Sequence, residues 1–394
     1  MDTGAPKIAF LMQDVGLGGI ERTVINLLCE LHKYPISLDL VLFEKKGVLL
    51  PEVPPGVRII ELPNATSSRL RRVFPVMRYL KQEKPTVLIS QLPQFNVIAA
   101  IAKTLTGIPA NALLVEHIGF APLEDHLKNN LKERIGLLNY LRRFFYAKLD
   151  ITVATVSQGL ARELESNLHL KKGTIKVIYN PIVDEKTLLL KAQVIPDHPW
   201  FQPDQPPVFL GVGRLAPQKD FATLIKAFSI LRQKGESARL VILGEGDERE
   251  KLEALVTKLN LNTEVSLPGF TDNPYAYMSR ATAFVLSSRF ESFGLVVAEA
   301  LACGCQIIST DCPYGPSEII NSGEYGRLVP VGNPKDLAEA MKQAINAPVD
   351  SDLLRLRARD FSVEKIVSEY LRLINFDYLL EGKIPHKVDL QTPI

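Results

Sequence analysis

The chain has 394 residues, of which 46% are apolar and 23% charged, a composition typical of globular proteins with material for two cores. Its formal net charge of +2 does not favour nucleic acid as a partner. Lys and Arg exceed Asp and Glu over residues 1–183, and the balance is reversed over the rest, which indicates two domains with different partners. No apolar run reaches the roughly 18–20 residues of a membrane span, and no signal peptide is recognised. We therefore expect a cytoplasmic protein, at most peripheral to the inner face of the plasma membrane.

Short apolar segments rich in β-branched residues alternate with helical patterns along the first half of the chain. The predicted strands cover residues 7–12, 38–43, 58–62, 87–91, 112–117, 151–157 and 176–179. Most are apolar without interruption, as strands buried on both faces of a sheet should be. Apolar residues at helical spacing predict a helix over residues 19–33.

A proline-rich segment, residues 181–207, lacks sustained periodicity and is interpreted as the connection between two domains. A second alternating series follows, with a final amphipathic helix over 363–376 and a frayed tail from Gly382. Its predicted strands cover 208–213, 239–243, 264–267, 283–287, 306–310 and 327–331, and its helices cover 221–234, 249–259, 294–303 and 335–346. This alternation predicts two parallel, doubly wound α/β sheets, whose ligands bind at the carboxyl ends of strands in a cleft.

The most informative segment follows a predicted strand, turns at Phe293-Gly294 and opens a helix. The backbone N–H groups of Phe293, Gly294 and Leu295 are the unpaired donors expected at that helix start. Such donors, aided by the helix dipole, bind phosphate, and Gly294 lets the backbone approach closely. Ser292 lies in the same turn and belongs to the predicted site.

Two glutamates flank this turn. Glu291 precedes the helix and Glu299 lies inside it, so one carboxylate can face a sugar while the other reaches a ribose diol. An ordinary solvated helix with two glutamates is the alternative. Because Glu299 lies among apolar neighbours, where an idle charge would be costly, we favour the functional interpretation.

A second segment, Gly213-Arg214-Leu215 with Lys219, follows the first strand of the second series. Two cations on a loop at a strand's carboxyl end suit a diphosphate, although Arg and Lys are also common in surface loops. Gly244 and Phe270 lie in further strand-end turns that could border a base pocket, and each alone is only a turn.

Two features of the first half are predicted to face the same cleft. Gly18 and Gly19 follow the first strand and start a helix, where they can contact phosphate, although a tight turn is an equal alternative. His117 ends another strand, which would place it near a reacting sugar. A lone histidine is more often structural, and position alone does not decide between the two interpretations.

The motif from Phe290 to Gly304 resembles that of the family-4 retaining glycosyltransferases, in which two glutamates flank seven residues. The resemblance covers residues 7–376 and implies the GT-B fold, two Rossmann-like doubly wound domains facing a central cleft. It implies an N-terminal acceptor-binding domain over 1–183 and a C-terminal nucleotide-sugar-binding domain over 184–362. A C-terminal helix and tail over 363–394 would cross back to the first domain. Cys305 departs from the proline of many relatives.

The resemblance also implies the roles of the site residues. Arg214 and Lys219 would hold the donor diphosphate, Glu299 the ribose, and Glu291 would lie by the transferred sugar. His117 matches a family histidine near the donor sugar, so we expect it to join Glu291, Arg214 and Lys219 in the catalytic group. The implied transfer retains configuration, through a front-face, oxocarbenium-like transition state in which the donor phosphate helps deprotonate the acceptor. Because cations already neutralise the leaving diphosphate, we expect no metal and no cofactor.

The expected partners are a nucleotide-sugar, with UDP as the family's default, and a glycan or lipid-linked acceptor. Residues 311–319 are similar to bacterial members that build polyprenyl-linked glycans or surface polysaccharides. Two basic segments, residues 66–82 and 127–148, could meet the acceptor or a membrane, and a solvated face is an equal alternative. A nucleotide-sugar epimerase of the same fold, a non-catalytic nucleotide-sugar-binding protein and a transferase acting on free sugars remain alternatives.

Overall fold

The first half of the chain forms a seven-stranded parallel sheet. A computed structural model of the protein describes residues 5–63, 69–120, 129–148 and 151–381. The strands lie in the order β3-β2-β1-β4-β5-β6-β7. They are β1 (Lys7–Met12), β2 (Ser37–Leu42), β3 (Arg58–Glu61), β4 (Val87–Ser90), β5 (Asn111–Glu116), β6 (Ile151–Thr155) and β7 (Lys176–Val177). Ile8, Phe10 and Leu40 are fully buried, because these central strands are covered on both faces.

Residues suited to helix ends delimit the helices around this sheet. The helices described are α1 (Gly19–Leu31), α2 (Val73–Glu83), α3 (Pro93–Thr106), α4 (Asn129–Tyr146) and α5 (Gln158–Asn167). Pro93 occupies the first turn of α3, and Gly107 ends that helix with a φ of 63°. Ser157 caps α5, where its hydroxyl accepts a hydrogen bond from the Leu160 N–H at 3.3 Å. We call residues 5–183 the first lobe.

The connection between the two sheets contains a helix that the sequence analysis did not predict. Helix α6 (Glu185–Gln193) is capped by Asp184, which accepts a hydrogen bond from the Thr187 N–H at 2.9 Å. Leu188 is buried, whereas Leu189 and Leu190 are exposed, so the apolar residues form no clean helical stripe. The prediction of a connection without regular structure is therefore wrong for this segment.

The second half forms a six-stranded parallel sheet in the order β10-β9-β8-β11-β12-β13. Its strands are β8 (Val208–Val212), β9 (Arg239–Leu243), β10 (Val265–Gly269), β11 (Ala283–Leu286), β12 (Ile307–Thr310) and β13 (Arg327–Val329). Each strand predicted from the sequence is present, with bounds that differ by a few residues. The two sheets confirm the predicted doubly wound α/β class.

Helices of the second half follow the predicted pattern, with three short additions. They are α7 (Phe221–Gln233), α8 (Arg249–Lys258), α9 (Pro274–Met278), α10 (Leu295–Ala302), α11 (Gly315–Ile319), α12 (Pro334–Asn346) and α13 (Ser351–Ala358). The three additions are α9, α11 and α13. Asn333 caps α12 through hydrogen bonds from the N–H groups of Lys335 and Asp336, both at 3.1 Å. We call residues 208–358 the second lobe.

The last helix, α14 (Val363–Leu373), packs against α1 of the first lobe. Just before it, the Ile182 N–H donates to the Phe361 carbonyl oxygen at 2.9 Å. Ile366 and Tyr370 of α14 are buried in a hydrophobic core that continues into the first lobe. The chain therefore crosses back, and the tail predicted from Gly382 lies outside the described residues. In the described part of the chain, no helix is both long and apolar enough to cross a membrane.

Each sheet has a topological switch point, where the chain begins to add strands on the opposite side of its first strand. This point lies between β1 and β4 in the first sheet and between β8 and β11 in the second. The loops after such strands diverge and leave a crevice at the carboxyl edge, where ligands of doubly wound proteins bind. Residues 213–220 follow β8 and residues 287–294 follow β11, so the two main predicted site segments lie at the second crevice.

Candidate active site

The loop after β11 turns into α10 with the geometry that the sequence predicts. Gly294 precedes the helix with a φ of 89° and a ψ of 52°, a left-handed conformation that favours glycine. The N–H groups of Phe293, Gly294 and Leu295 have no hydrogen-bond acceptor among the described residues. Unpaired donors at the positive end of a helix dipole form an anion-binding turn.

Lys219 and Glu291 meet beside this turn. The Lys219 Nζ lies 2.6 Å from the Glu291 Oε1, and the Ser288 hydroxyl donates to the same oxygen at 2.7 Å. Glu291 is buried and Lys219 is half-buried, so the pair is partly shielded from water. The structure thus brings together two groups predicted from separate segments, one for the diphosphate and one for the transferred sugar.

Hydrogen bonds hold the loops after β8 and β11 together. The Ser287 hydroxyl donates to the Lys219 carbonyl at 2.8 Å, and the Arg289 N–H donates to the Gln218 carbonyl at 2.8 Å. The Gln218 side-chain amide donates to the Phe290 carbonyl at 3.0 Å. Because backbone groups of both loops are fixed in this way, Lys219 is positioned relative to the anion-binding turn.

Glycines allow the loops after β8 and β9 to lie against each other. A Cβ on Gly213 would lie 3.2 Å from the Lys219 Cε, so the lysine stem crosses over this glycine. A Cβ on Gly244 would lie 1.9 Å from the Gly213 carbonyl oxygen, a distance that no side chain tolerates. Gly244 therefore serves the packing of the Lys219 loop, which is a structural reason for its place in the predicted site.

Replacing Gly244 with alanine is expected to lower the free energy of unfolding by about 3 kcal/mol and to weaken nucleotide binding, because the new methyl group displaces the Gly213 loop. Urea denaturation and calorimetric titration with UDP would measure the two effects. Gly235→Ala is the matched control, since Gly235 also has a positive φ, 88°, but open space around it. It should cost about 1 kcal/mol and leave nucleotide binding intact. Equal effects of the two substitutions would contradict this account.

Arg214 and Phe270 lie at the same edge of the second sheet with their side chains exposed. Arg214 follows Gly213 and has no ion-pair partner within the described ranges. Phe270 follows β10, and its side chain is 62% exposed. Their exposure leaves a cation and an aromatic face open to solvent, and the roles of Arg214 and Phe270 in donor binding stay predictions.

Glu299 is the second buried carboxylate of the site. It lies on α10, and its Oε1 accepts a hydrogen bond from the Tyr275 hydroxyl at 2.9 Å. Burial raises the pKa of Glu299 to about 7, although the Tyr275 hydrogen bond and the charge of Arg22 lower it in part. Arg22 belongs to α1, so the start of the first lobe's first helix faces this carboxylate.

The turn at Gly18 and Gly19 is exposed at the start of α1, as predicted. A Cβ on Gly18 would lie 2.1 Å from the Glu21 Oε2, so the glycine makes room for this carboxylate. Burial raises the pKa of Glu21, and nearby Asp14 raises it further. Two acids at this helix start do not favour an anion there, and the role of Gly18 and Gly19 in donor binding stays a prediction.

His117 is buried rather than open to the cleft. Its Nε2 lies 2.6 Å from the Gln91 Oε1, a contact between the loops after β5 and β4. Burial lowers the pKa of His117 to about 3, so the imidazole is neutral at ordinary pH. Tyr370 of α14 also interacts with Gln91. The structure thus does not bring His117 into contact with Lys219 or Glu291, and its catalytic role stays a prediction.

Two arginines of the predicted basic segments are not available to an acceptor or a membrane. Arg142 on α4 is buried, and its Nη2 lies 3.2 Å from the Glu116 Oε2. The Arg72 guanidinium lies over the Phe43 ring, 4.9 Å from its centroid, and donates to Gln13. Sequence spacing did not reveal the partners of these two arginines, because the partners lie at or just after strands that are distant in the chain. Residues 66–68 and 127–128 of these segments lie outside the described ranges.

A junction between the two lobes lies beside the anion-binding turn at residues 293–295. The Glu318 carboxylate of α11 accepts hydrogen bonds from the N–H groups of Gln158 and Gly159, both at 2.8 Å. These donors open α5 of the first lobe, so Glu318 caps a helix of the opposite lobe. The Tyr179 ring centroid lies 5.7 Å from that of Phe293, so Tyr179 of the first lobe packs against the side chain of this turn residue.

Replacing Glu318 with alanine is expected to lower the free energy of unfolding by about 1–2 kcal/mol, because two helix-start donors lose their acceptor. Chemical denaturation would measure this loss. Glu250→Ala on the exposed face of α8 is the control and should change stability by less than about 0.5 kcal/mol. A Glu318 variant as stable as this control would show that the junction does not contribute.

Comparison with known proteins connects the site loops to a family. Residues 17–186 match the family described as Glycosyltransferase Family 4, and residues 197–360 match the one described as Glycosyl transferases group 1. Lys219, Glu291 and Glu299 all fall within the second match. The chain belongs to the family-4 glycosyltransferases.

Named relatives align with this glycosyltransferase over most of its length. An N-acetylgalactosamine-N,N'-diacetylbacillosaminyl-diphospho-undecaprenol 4-alpha-N-acetylgalactosaminyltransferase of Campylobacter jejuni is 28% identical over 391 residues, 93% of this chain and 99% of its own. The lipopolysaccharide core biosynthesis glycosyltransferase LpsE of Rhizobium meliloti is 26% identical over 366 residues, 91% of this chain and 96% of its own.

Solved structures confirm the GT-B fold of the glycosyltransferase. The lipopolysaccharide outer core galactosyltransferase WaaB superposes with a TM-score of 0.73 at 23% identity, over 94% of this chain and 99% of its own. The Anabaena protein HepE in complex with UDP superposes with a TM-score of 0.73 at 19% identity, over 94% and 99%. Two Rossmann-like lobes facing a cleft, as expected from the sequence, are therefore shown.

Sequence reasoning missed three residues around the site of this glycosyltransferase. They are Tyr275, which holds Glu299, Arg22, which faces it, and Glu318, which joins the lobes. The Asn-Pro-Tyr segment at residues 273–275 does signal a helix start. No spacing, however, relates residue 275 to residue 299, because the two meet only through the packing of α9 against α10.

Proposed function

We propose that this glycosyltransferase transfers a sugar from a UDP-sugar to a glycan or polyprenyl-linked acceptor, with retention of configuration. The observation that carries the proposal is the contact of Lys219 with Glu291 beside the unpaired N–H groups of the α10 start. Cation, acid and anion-binding turn converge at the crevice of the second sheet. This set of groups suits a diphosphate joined to a sugar.

The chain's own groups would act mainly by stabilising charge. Lys219, Arg214 and the N–H groups of residues 293–295 would bind the diphosphate as negative charge develops on it. Glu291 would hold hydroxyls of the transferred sugar, with its orientation fixed by Ser288. Since Glu291 is itself paired with Lys219, it is a poor nucleophile, which supports a front-face path in which the donor phosphate takes the acceptor proton.

The acceptor class is proposed from the names of the relatives and from the excess of Lys and Arg over Asp and Glu in residues 1–183. The Campylobacter relative is named for a diphospho-undecaprenol-linked substrate, and other relatives are named for lipopolysaccharide synthesis. These names favour a hexosyl or N-acetylhexosaminyl transfer in lipopolysaccharide or lipid-linked glycan synthesis. They also favour transfer over epimerisation, because the relatives cited are named transferases.

The proposal is tested by incubating the purified chain with UDP-sugars and polyprenyl-diphosphate-linked saccharides. We expect a new glycoside whose anomeric configuration, measured by NMR, equals that of the donor. An inverted product would contradict retention. A changed sugar formed from donor alone would indicate an epimerase, and UDP binding without product would indicate a binding protein. Product formed only on free mono- or disaccharides would exclude the lipid-linked acceptor.

We also propose that transfer needs no divalent metal, because Arg214 and Lys219 already neutralise the diphosphate. The two carboxylates of the segment Asp350-Ser351-Asp352 stabilise a helix rather than bind a metal. Asp350 caps α13, and Asp352 pairs with Arg355 at 2.8 Å. Transfer rates measured with excess EDTA should match those measured with Mg²⁺ or Mn²⁺. A loss of activity in EDTA that Mn²⁺ restores would contradict the proposal.

We propose that α4 contacts an anionic membrane at the inner face of the plasma membrane. Tyr140 and Phe144 of this helix are 67% and 53% exposed. They line a cavity of about 920 Å³, with four cations among the described lining residues, Arg143, Lys148, Lys171 and Lys176. Aromatic rings beside cations suit the boundary of an anionic bilayer.

Co-sedimentation with phosphatidylglycerol vesicles tests this contact. We expect binding that falls with salt and that a Lys148→Glu, Lys171→Glu double variant loses, whereas phosphatidylcholine vesicles bind neither protein. A Lys251→Glu, Lys258→Glu variant of α8 in the second lobe is the charge-matched control. Equal binding by the two double variants would contradict the proposed surface.

A further inference from the structure

Glu299 has one carboxylate oxygen bound and one free. Its Oε1 accepts the Tyr275 hydroxyl proton at 2.9 Å. Its Oε2 has no hydrogen-bond partner among the described residues and is not sealed from solvent. The residue as a whole is only 9% exposed. The second oxygen is therefore the one that the Tyr275 contact leaves open to a ligand, in a direction that this contact fixes.

Tyr275 is suited to act only as a hydrogen-bond donor. Burial, together with the negative charge of Glu299, holds the pKa of the Tyr275 phenol well above its usual range, so the hydroxyl keeps its proton. The tyrosine is 7% exposed, and its ring lies 5.9 Å from the Lys191 Nζ. A neutral hydroxyl in a buried place stabilises an adjacent carboxylate.

Helix α9, which carries Tyr275, is fixed to the interdomain helix α6. The Ser279 hydroxyl donates to the Ala192 carbonyl at 2.9 Å, and the Arg280 Nη1 donates to the same oxygen at 2.7 Å. The Asn273 side-chain amide donates to the Lys191 carbonyl at 3.0 Å. Because these hydrogen bonds come from residues on both sides of the short helix, the Tyr275 hydroxyl has little freedom to move away from Glu299.

We infer that Tyr275 is a positioning residue, which binds one oxygen of Glu299 and so presents the other to the ribose diol of the donor. This inference rests on the proposed function and adds a residue to its donor site. Tyr275 does not touch the donor and acts only through Glu299.

The hydrogen bond also sets the charge of Glu299. Burial raises the pKa of this carboxyl group to about 7, and the Tyr275 hydroxyl lowers it in part. The other charged groups that act on it are Arg22 from α1 and Lys191 from α6, which lower its pKa, while Cys303 on α10 is a neighbour that senses its charge. Removing the hydroxyl removes a stabilising donor, so the pKa of Glu299 must rise.

A Tyr275→Phe variant tests the inference through pH profiles. We expect the acid limb of kcat/KM for the donor to move up by about one pH unit, because the carboxylate loses one charge-assisted hydrogen bond. At pH 7 the donor KM should rise about fivefold with kcat nearly unchanged, and at pH 9 the KM should recover. A structural defect would lower activity at both pH values. Tyr277→Phe, on the same helix and without a contact to Glu299, is the matched control and should keep the wild-type profile.

Calorimetric titration with UDP gives a readout that does not depend on turnover or on the variant's folding. Wild-type affinity should rise from pH 6 to pH 8 and level off above. An affinity that is flat over this range, or an unchanged limb in a folded Tyr275→Phe protein, would overturn the inference and leave the proposed function standing. A wild-type protein that binds no nucleotide and transfers no sugar would instead refute the proposed function, and the inference with it.

Discussion

An Arg214→Ala variant is expected to transfer sugar about 10²–10³-fold more slowly than the wild type at saturating donor. Arg214 is exposed at the carboxyl end of β8, beside the Gly213 turn over which Lys219 lies. Because Arg214 has no ion-pair partner within the described ranges, we expect its charge to be available to the leaving diphosphate. Removing it takes away about 3–4 kcal/mol of transition-state stabilisation. Steady-state kinetics with the purified enzyme would measure the fall in kcat.

The control for this substitution is Arg372→Ala. Arg372 is an exposed arginine in the last turn of α14, outside the predicted site. Its removal changes the net charge by the same amount and should leave kcat within about twofold of wild type. Thermal unfolding of both variants would show that they fold equally well. An Arg214 variant with normal turnover would contradict the assignment of this cation to the donor.

A Glu299→Gln variant is expected to bind UDP much more weakly and yet to be more stable than the wild type at pH 8. Burial raises the pKa of Glu299 from 4.5 to about 7, so the folded protein binds a proton more tightly than the unfolded chain. The stability contributed by this group therefore falls as the pH rises from 4.5 to about 7 and stays low above. Glutamine carries no charge and removes this cost, with a gain of about 2 kcal/mol at pH 8.

Urea denaturation at pH 5 and pH 8 tests the sign of this effect. The variant should gain more stability over the wild type at pH 8 than at pH 5, where Glu299 is mostly protonated in the folded protein but already mostly ionised in the unfolded chain. Glu165→Gln is the matched control, since Glu165 is also buried and, in place of a tyrosine hydroxyl, has a backbone donor, the Ile175 N–H, at 3.0 Å. It should gain nothing at either pH. A Glu299 variant that is less stable than wild type at pH 8 would contradict this account.

The two expected results together describe how the site is built. Arg214 is proposed to act through its charge in water-accessible space, so its removal should affect turnover with little effect on folding. Glu299 is proposed to act from a buried place, where its charge is costly to the fold. Removing this carboxylate should therefore raise stability while it weakens binding of the ligand.

The strands and six of the fourteen helices described were predicted from the sequence, because buried parallel strands and amphipathic helices have distinct apolar periods; these helices are α1, α7, α8, α10, α12 and α14. Helix α6 was not, because its capping Asp184 precedes three leucines of which only Leu188 is buried. Arg142 illustrates the same limit. It lies among basic residues in sequence, yet its partner Glu116 comes from a strand end, and only folding brings the two together.

The predicted site divides in a similar way. The turn at Phe293-Gly294 and the pair Glu291 and Glu299 lie within one continuous segment, so local geometry was enough to predict their placement. The contact of Lys219 with Glu291 joins two segments, and it could be anticipated because both follow strands at the same edge. His117 was expected to face the cleft on the same ground, but its ring is buried against Gln91, since a side chain at a strand end can turn either way.

The sequence by itself determined two doubly wound sheets, the loop that opens α10 and the chemistry its residues can perform, because these depend on periodicity and on contacts within short segments. The tertiary structure alone decided that Tyr275 binds Glu299 and that Glu318 caps α5 of the opposite lobe. These contacts join residues far apart in the chain, and no local pattern records them. They exist only once the two sheets and their connecting helix have packed together.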